Sequence, residues 1–335
     1  MSTAGNLPST IRTLSQPDPK KPELILTTSA LPVAKSADEH LIRVHATSPC
    51  AGELLWPAND PEFFGDELVP CYDLSGTVIQ APKRSPFIVG TEIWGSTAFS
   101  RPGNAREYTI ATTEELAVRP ASIDKNVAAT VPLSAVTAIQ ALFQHGGIAD
   151  FDADAEDKKN NATKRIIIIA ASGGVGIWAL QIAREVGIGG IVAVCGTSNT
   201  DFVRSLGATE VIDYRKQTVK EWVDEGGEKV DLVLDLKGGK SLEEAWSAVK
   251  DGGMVVSIVE DPKPGKPSDL IGTNDTKTDF FIMTPKGSDL KVVSRLFEEG
   301  KVETFADSIW SLEDYKEAFA KFGDGHTRGK VIITP

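Results

Sequence analysis

The sequence has few cysteines, which limits both disulfide and zinc chemistry. Its three cysteines, Cys50, Cys71 and Cys195, are odd in number and lie far apart along the chain. Small secreted scaffolds carry even numbers of cysteines, and a four-cysteine zinc cluster needs one ligand more than this chain offers. Both classes are therefore excluded, and we expect a reducing, cytoplasmic setting.

Long apolar runs and an excess of positive charge are also lacking. A membrane-spanning helix needs about 20 predominantly apolar residues, whereas the apolar run at 166–171 has the length of a strand. The 47 acidic residues outnumber the 35 lysines and arginines and leave a net charge of −12. Such a chain repels phosphate backbones and anionic lipid surfaces. We therefore expect no nucleic acid and no membrane among its partners.

The composition that remains is that of a folded protein of about two domains. Hydrophobic residues make up 41% of the 335 residues, and 30 glycines accompany them, while a typical domain has about 150 residues. Residues 39–46 alternate apolar and polar side chains, as a half-buried strand does. Short β-branched or aromatic runs, separated by glycine and proline, follow at 74–80, 88–94 and 108–111. This part of the chain predicts a small barrel or sandwich.

Strands and helices alternate strictly from residue 165 onward. Apolar, strand-sized runs occur at 165–171, 190–195, 211–212, 230–235 and 253–259, and helical patterns at 174–186, 200–206 and 241–249. Nearly continuous apolar strands that alternate with helices are typical of a doubly wound parallel sheet. The polar segment 150–164 is expected to be a surface loop. After the sheet, residues 289–299 and a segment starting at Ser311 are expected to be helical, and 330–333 a strand.

The strongest chemical motif is Ala171-Ser172-Gly173-Gly174-Val175-Gly176, which follows an apolar strand and opens a helix. In this context, glycines let the backbone approach a pyrophosphate and let the helix pack tightly on the strand. The helix N-terminus offers unpaired N–H groups and the positive end of its dipole to the phosphates. The first position holds Ala171, where such a motif usually has glycine. The alternative is a glycine-rich turn that only connects the strand to the helix.

The end of the next strand indicates which dinucleotide is bound. An NAD site usually carries an acidic residue there, which binds the ribose 2′-hydroxyl. Here the chain has Cys195-Gly196-Thr197-Ser198-Asn199, without a carboxylate. Hydroxyl and amide groups can accept a 2′-phosphate instead, so we expect NADPH, although no basic residue stands among these five. The alternative is a strand end that makes no contact with a cofactor.

Further segments have recognisable sequences: 69–78 (VPCYDLSGTV), 105–108 (AREY), 132–142 (PLSAVTAIQAL), 206–208 (LGA) with 212–214 (IDY), 231–239 (DLVLDLKGG) and 325–330 (GHTRGK). Together they resemble the zinc-independent quinone oxidoreductase-like (enoyl reductase-like) branch of the medium-chain dehydrogenase/reductase superfamily. The resemblance extends from about residue 39 to residue 335. No single segment among them is specific by itself.

The resemblance implies an α/β fold: a Rossmann-type doubly wound parallel sheet plus a mostly β, GroES-like catalytic domain. The catalytic domain would comprise residues 1–125 and 285–335, and the NADPH-binding Rossmann domain residues 126–284. NADPH would lie in the cleft between the domains. Its hydride would pass to a small-molecule substrate: a quinone, or the activated C=C bond of an enone or an enoyl thioester. Relatives often form homodimers, which suggests the same assembly here.

The cofactor residues that the resemblance implies fall into four groups. They lie beside the nicotinamide, at the pyrophosphate, around the 2′-phosphate, and in late segments that close over the cofactor. In that order they are Thr137; Ser172, Gly173, Gly174, Val175 and Gly176; Ser198, Asn199 and Tyr214; and Phe281 and Arg328.

The resemblance also lets zinc be tested by counting ligands. Cys50 falls at the first ligand position of the superfamily's zinc alcohol dehydrogenases, but Tyr72 stands at the histidine position. Residues 132–133 lack the later cysteine. Because a catalytic zinc needs three protein ligands, no metal is expected.

Without a metal, hydrogen-bond donors or the cofactor ribose must stabilise charge on the substrate oxygen. Tyr72 is the candidate proton donor or substrate hydrogen bond, with a packed turn tyrosine as the alternative. Cys50 and Trp56 are candidate substrate contacts, with a small buried side chain and aromatic packing as the alternatives. Their loop, 50–56, departs from the family's N-P-x-D pattern. Two functions therefore stay open: an NADPH-dependent reductase, or a cofactor-binding sensor or scaffold with little catalysis.

Overall fold

The computed structural model describes residues 7–65, 67–268, 270, 275–325 and 327–335. His326, which belongs to the family-like segment 325–330, lies outside the described residues. The chain forms two compact units. The split unit contains both chain ends, Met1–Val136 and Thr284–Pro335, and the central unit comprises Thr137–Met283.

Short strands make up the first part of the split unit. Its elements are β1 (Thr10–Ser15), β2 (Ile25–Ala30), β3 (Glu39–Ala46), α1 (Trp56–Asn59), β4 (Asp73–Gln80), β5 (Glu92–Ser96), β6 (Tyr108–Thr112), a 3-10 turn (Thr113–Glu115) and β7 (Leu116–Val118). β1 pairs with β2, and the other five strands form an antiparallel sheet in the order β6-β3-β4-β5-β7. Apolar residues of neighbouring strands, such as Ile42, Leu74 and Ile93, are fully buried on one face of this sheet.

A helical stretch leads from the split unit into the central unit. It consists of a 3-10 turn (Val127–Thr130), α2 (Pro132–Ile139) and a π-helical turn (Gln140–His145). Pro132 is the first residue of α2, where its missing N–H costs nothing. By length and apolar composition the stretch Val127–His145 resembles a membrane span, but 83% of it is buried inside the fold.

Helices and parallel strands alternate through the central unit. Its further elements are α3 (Ala155–Asn161), β8 (Arg165–Ile169), α4 (Gly174–Glu185), β9 (Gly190–Cys195), a 3-10 turn (Thr197–Asn199), α5 (Thr200–Ser205), β10 (Glu210–Asp213), α6 (Val219–Asp224), β11 (Val230–Asp235), α7 (Lys240–Ala245), 3-10 turns at Trp246–Ala248 and Lys263–Gly265, β12 (Val249–Ser257) and β13 (Lys277–Phe280). The strands form one parallel sheet in the order β10-β9-β8-β11-β12-β13. This order confirms the predicted doubly wound sheet.

Two elements of the central unit differ from the sequence-based expectation. The segment 150–164 contains the helix α3, because the Asp154 side chain accepts hydrogen bonds from the N–H groups of Glu156 and Asp157 and caps its start. The sheet also has a sixth strand, β13, which pairs with β12 at the sheet edge. Its sequence, Lys-Thr-Asp-Phe, is too polar to give an apolar run.

The chain then returns to the split unit through α8 (Gly287–Glu298), β14 (Ala306–Ser311), α9 (Tyr315–Gly323) and β15 (Lys330–Thr334). The expected apolar face of α8 is present, since Leu290, Val293 and Leu296 are buried. Ser311 ends a strand instead of opening a helix, because β14 pairs in parallel with β15 up to that residue. The helix begins after it, at Tyr315.

A buried ion pair and its hydrogen bonds join four segments of the split unit. The Asp73 carboxylate, at the start of β4, lies 2.9 Å from Lys330 Nζ and accepts a hydrogen bond of 2.8 Å from Leu133 N–H. The same ammonium donates to Pro49 O at 2.9 Å. Asp73 is 0% exposed and Lys330 5%. Removing one partner of such a pair leaves an uncompensated charge in the interior.

We predict that Lys330→Met lowers the free energy of unfolding by about 3–5 kcal/mol, because the Asp73 carboxylate would stay buried without its counterion. Urea denaturation measures the change. Lys240→Met is the control, since Lys240 is 84% exposed and pairs with Glu244 at the surface. Equal unfolding midpoints for the two variants would show that the buried pair has no structural role.

Candidate cofactor and substrate sites

A strained turn connects β8 to α4. Ala170 has φ 58, in the left-handed region that side chains disfavour. The motif usually has glycine at the position of Ala171. The strained backbone lies one residue earlier, at Ala170. Gly173 N–H donates to Ala170 O at 3.0 Å and closes the turn. Gly173 itself is extended, with φ −79 and ψ 176, and is the N-cap residue of α4.

The glycines of this turn allow a close approach between the helix and the strand end. A Cβ on Gly176 would lie 2.6 Å from both Ala170 O and Ala171 Cα, which excludes any side chain there. A Cβ on Gly173 would meet only Ala170 O, at 3.3 Å. The backbone is therefore packed against the strand at Gly176 and accessible at Gly173.

The first turn of α4 has the features of an anion-binding site. No side chain caps it, so its leading N–H groups keep their hydrogen-bonding capacity, and the positive end of the helix dipole lies at the same place. It also lies at the carboxyl edge of a parallel sheet, where such folds bind ligands. These features fit the pyrophosphate of a dinucleotide.

The neighbouring strand ends contribute polar groups at the same edge. Asn199 Nδ2, in the turn after β9, donates to Ser172 Oγ at 3.2 Å and links that turn to the α4 motif. Thr197 Oγ1 donates to Asp213 Oδ2, the last residue of β10, at 2.7 Å. This hydrogen bond holds the pKa of Asp213 below its usual range. Tyr214 follows directly, and its hydroxyl would lie 3.1 Å from a Cβ on Gly196.

The carboxyl edge of the sheet thus brings together Ser172, the glycines of the motif, Asn199 and Tyr214. Ser198 is exposed within the same turn as Asn199.

The other predicted cofactor residues lie elsewhere in their units. Thr137 is buried in α2 at 3% exposure. The Phe281 ring stacks on His145, with centroids 3.9 Å apart, and His145 Nδ1 lies 2.8 Å from Asp279 Oδ2. Arg328 is exposed in the split unit, and its backbone N–H donates to Asp307 Oδ1.

Tyr72 belongs to a cluster of three aromatic rings in the split unit. Its ring stacks on Trp56 at a centroid distance of 6.1 Å and meets Phe99 edge-on at 4.9 Å. The hydroxyl donates to Phe99 O over a long 3.4 Å. Burial raises the pKa of Tyr72, so this hydroxyl is protonated at neutral pH. Sequence reasoning missed Phe99, because no local pattern connects it to residues 56 and 72.

A second side chain that the sequence did not single out as a site residue, Glu53, lies beside this cluster. Its carboxylate accepts a hydrogen bond of 3.0 Å from Cys71 N–H, and Cys71 has a left-handed backbone with φ 70. Burial raises the pKa of Glu53 to about 7 and that of the Cys50 thiol to about 12. The Cys50 thiol is therefore protonated and is a poor nucleophile. Glu53 and Tyr72 both line a small cavity of the split unit.

The residues around Cys50 do not fit a catalytic zinc. Within the described ranges, no group of three or more histidine, cysteine, aspartate or glutamate side chains is arranged to hold a metal ion. The ammonium of Lys330 supplies positive charge near Cys50, Glu53 and Asp73. A zinc site needs at least three such ligands around one point, and Tyr72 does not replace a histidine in that role.

Comparison with known proteins identifies relatives over the whole chain. Residues 206–333 match the family described as zinc-binding dehydrogenase. The chain is 43% identical to a protein of Arthroderma benhamiae named "Probable zinc-binding oxidoreductase, mitochondrial", over 99% of both chains. It is 30% identical to a chloroplast envelope quinone oxidoreductase homolog of Arabidopsis thaliana, over 80% of each. The quinone oxidoreductase structure from Coxiella burnetii superposes with a TM-score of 0.81 at 22% identity, over 97% of this chain and 99% of that one.

The names of the relatives correct one expectation. The Arthroderma benhamiae protein is named as mitochondrial, as is an NAD(P)H oxidoreductase of Danio rerio that is 26% identical over 91% of this chain and 86% of its own. The cytoplasmic setting expected from cysteine content is therefore wrong. Three cysteines exclude a disulfide framework, but they do not distinguish the cytoplasm from other reducing compartments.

The sequence relatives, the parallel Rossmann-type sheet of the central unit and the mostly β, GroES-like split unit agree on one family. The chain belongs to the quinone oxidoreductase-like branch of the medium-chain dehydrogenase/reductase superfamily, and it is an oxidoreductase that uses a nicotinamide cofactor and a small-molecule substrate.

Proposed function

We propose that this oxidoreductase uses NADPH, without zinc, to reduce a quinone or the activated C=C bond of an enone or enoyl thioester. The observation that carries the proposal is the uncapped first turn of α4 behind Gly173. Hydroxyl and amide side chains, and no carboxylate, follow the adjacent strand β9. When bound, the nicotinamide supplies the hydride.

The chain's own residues bind the cofactor in this proposal. The N–H groups of Gly174, Val175 and Gly176 hold the pyrophosphate, and Ser172 and Asn199, already joined by a hydrogen bond, form the side of the cradle. The family pattern implies further contacts with the cofactor. Ser198 and Tyr214 would lie at the 2′-phosphate and Thr137 beside the nicotinamide. Phe281 and Arg328 would close over the cofactor.

Tyr72 is the proposed hydrogen-bond and proton donor to the substrate. Reduction of either substrate class adds a hydride and a proton, and negative charge develops on an oxygen before the proton arrives. A hydroxyl whose pKa is raised by burial stays protonated at neutral pH and can donate to that oxygen. Its weak 3.4 Å bond to Phe99 O is readily exchanged for a substrate contact. Trp56 and Cys50 supply apolar surface beside it.

Among the residues that the structure describes, no set of side chains fits a zinc ion, which supports a reaction that depends on hydrogen-bond donors instead of a metal. The cluster near Cys50 already contains the Lys330 ammonium, which is paired with Asp73 at 2.9 Å. A divalent cation placed among these groups would be repelled by that ammonium. Zinc-independence is therefore part of the proposal, although the matching family and the Arthroderma benhamiae relative are both named for zinc.

Gly173→Ala is predicted to weaken NADPH binding at least about tenfold while the free energy of unfolding stays within about 1 kcal/mol of the parent. Alanine tolerates the backbone angles of Gly173, but its methyl group would stand where the pyrophosphate approaches. Gly265→Ala is the matched control, since a Cβ there meets only Glu243 Cγ at 3.7 Å. Fluorescence titration with NADPH measures both; equal affinities would contradict the proposed cradle.

Tyr72→Phe is predicted to lower the rate of NADPH oxidation at least about tenfold with quinone and enone acceptors, because the variant lacks the donated proton. The affinity for NADPH should not change. Tyr108→Phe, on β6, serves as the control. If no acceptor raises NADPH oxidation above the rate in buffer, the reductase is contradicted and the sensor or scaffold function is favoured; if Tyr72→Phe keeps full activity, only the role of Tyr72 fails.

A further inference from the structure

Arg215 lies at the strand edge that holds the cofactor-binding turn. β9 and β10 are parallel, with Asp213 opposite Cys195, so the residues after each strand are also neighbours. Tyr214 N–H donates to Cys195 O at 3.1 Å and continues this register for one residue. Arg215 follows, and its Nε would lie 3.5 Å from a Cβ on Gly196. Its side chain therefore passes over the end of β9.

The charge of Arg215 is available for a ligand. The residue is exposed, and across the part of the chain that the structure describes, no carboxylate lies within 4.0 Å of its guanidinium group. Its backbone N–H is used by Asp213 Oδ1 at 3.1 Å. That bond fixes the peptide and leaves the side chain free to turn towards the edge.

The acidic neighbour of Arg215 is already neutralised. Asp213 Oδ2 accepts from Thr197 Oγ1 at 2.7 Å and lies 3.3 Å from Lys216 Nζ. Asp213 is only 9% exposed. Lys216 therefore compensates Asp213, and Arg215 adds a further positive charge beside Gly196 and Tyr214.

We infer that Arg215 binds the 2′-phosphate and determines the preference for NADPH over NADH. A guanidinium presents parallel N–H donors that match phosphate oxygens, and charge-assisted bonds of this kind are stronger than neutral ones. Arg215 supplies the positive charge that residues 195–199 lack. The inference rests on the proposed use of NADPH, and it names the residue that makes this preference possible in an acidic protein.

The test compares dissociation constants for NADPH and NADH in the full chain at one fixed ionic strength, by titration calorimetry. In Arg215→Gln, NADPH binding should weaken at least about tenfold, while NADH binding should change less than about twofold, because NADH lacks the 2′-phosphate. Lys216→Gln is the matched control, since Lys216 is exposed and paired with Asp213. It should change the NADPH affinity less than about threefold. Thermal melting without ligand verifies that each variant is folded.

The outcomes separate this inference from the proposed function. If the parent protein prefers NADPH and Arg215→Gln keeps the same preference, Arg215 is not the determinant, and the proposed use of NADPH stands. If the parent protein binds NADH as tightly as NADPH, the proposed cofactor and this inference both fail. A loss of NADPH and NADH affinity together in Arg215→Gln would assign the side chain to the shared part of the nucleotide and would also overturn the inference.

Discussion

The proposed dinucleotide site depends on the missing side chain at Gly176. The helix α4 packs so closely on the end of β8 that a Cβ would lie 2.6 Å from Ala170 O. This approach brings the helix N-terminus to the carboxyl edge of the sheet, where its N–H groups and dipole face outward. The left-handed Ala170 and the extended Gly173 are consequences of the same turn, which must reverse the chain within a few residues. The turn after β9 is then attached through the Asn199–Ser172 hydrogen bond.

The negative net charge of the molecule explains why an anionic cofactor must be bound by local groups. With a net charge of −12, the overall field disfavours a multiply charged anion. In the proposed cofactor site, backbone N–H groups and the Arg215 guanidinium act at contact distance, whereas salt screens the distant acidic residues. The split unit uses local compensation in the same way, because the Lys330 ammonium balances Asp73 in the interior. In the proposed cofactor site and at the Asp73–Lys330 pair, a few neighbouring groups have a larger effect than the net charge of the whole protein.

Local sequence signals predicted the parts of the fold that depend on neighbouring residues, and they indicated a candidate site. The motif 171–176 and the apolar strands around it were recognisable because each signal lies within one short segment. The edge strand β13 was missed, since its polar residues are paired only through β12, and the start of α3 was missed although Asp154 carries a capping signal. The contacts of Tyr72 with Trp56 and Phe99 join three separate segments, and Arg215 reaches Gly196 only through the register of β9 and β10. Such pairings depend on tertiary structure, which single-segment patterns do not contain.

In the proposed function, backbone amides at the start of α4 hold the cofactor. Amide chemical shifts of the protein labelled with 15N-glycine, recorded during addition of NADPH, test it most directly. We expect the Gly173, Gly174 and Gly176 resonances to show the largest shifts and to follow one saturation curve, while the distant Gly265 resonance stays in place. Saturation with NADPH that leaves the three motif resonances unchanged would contradict this binding mode.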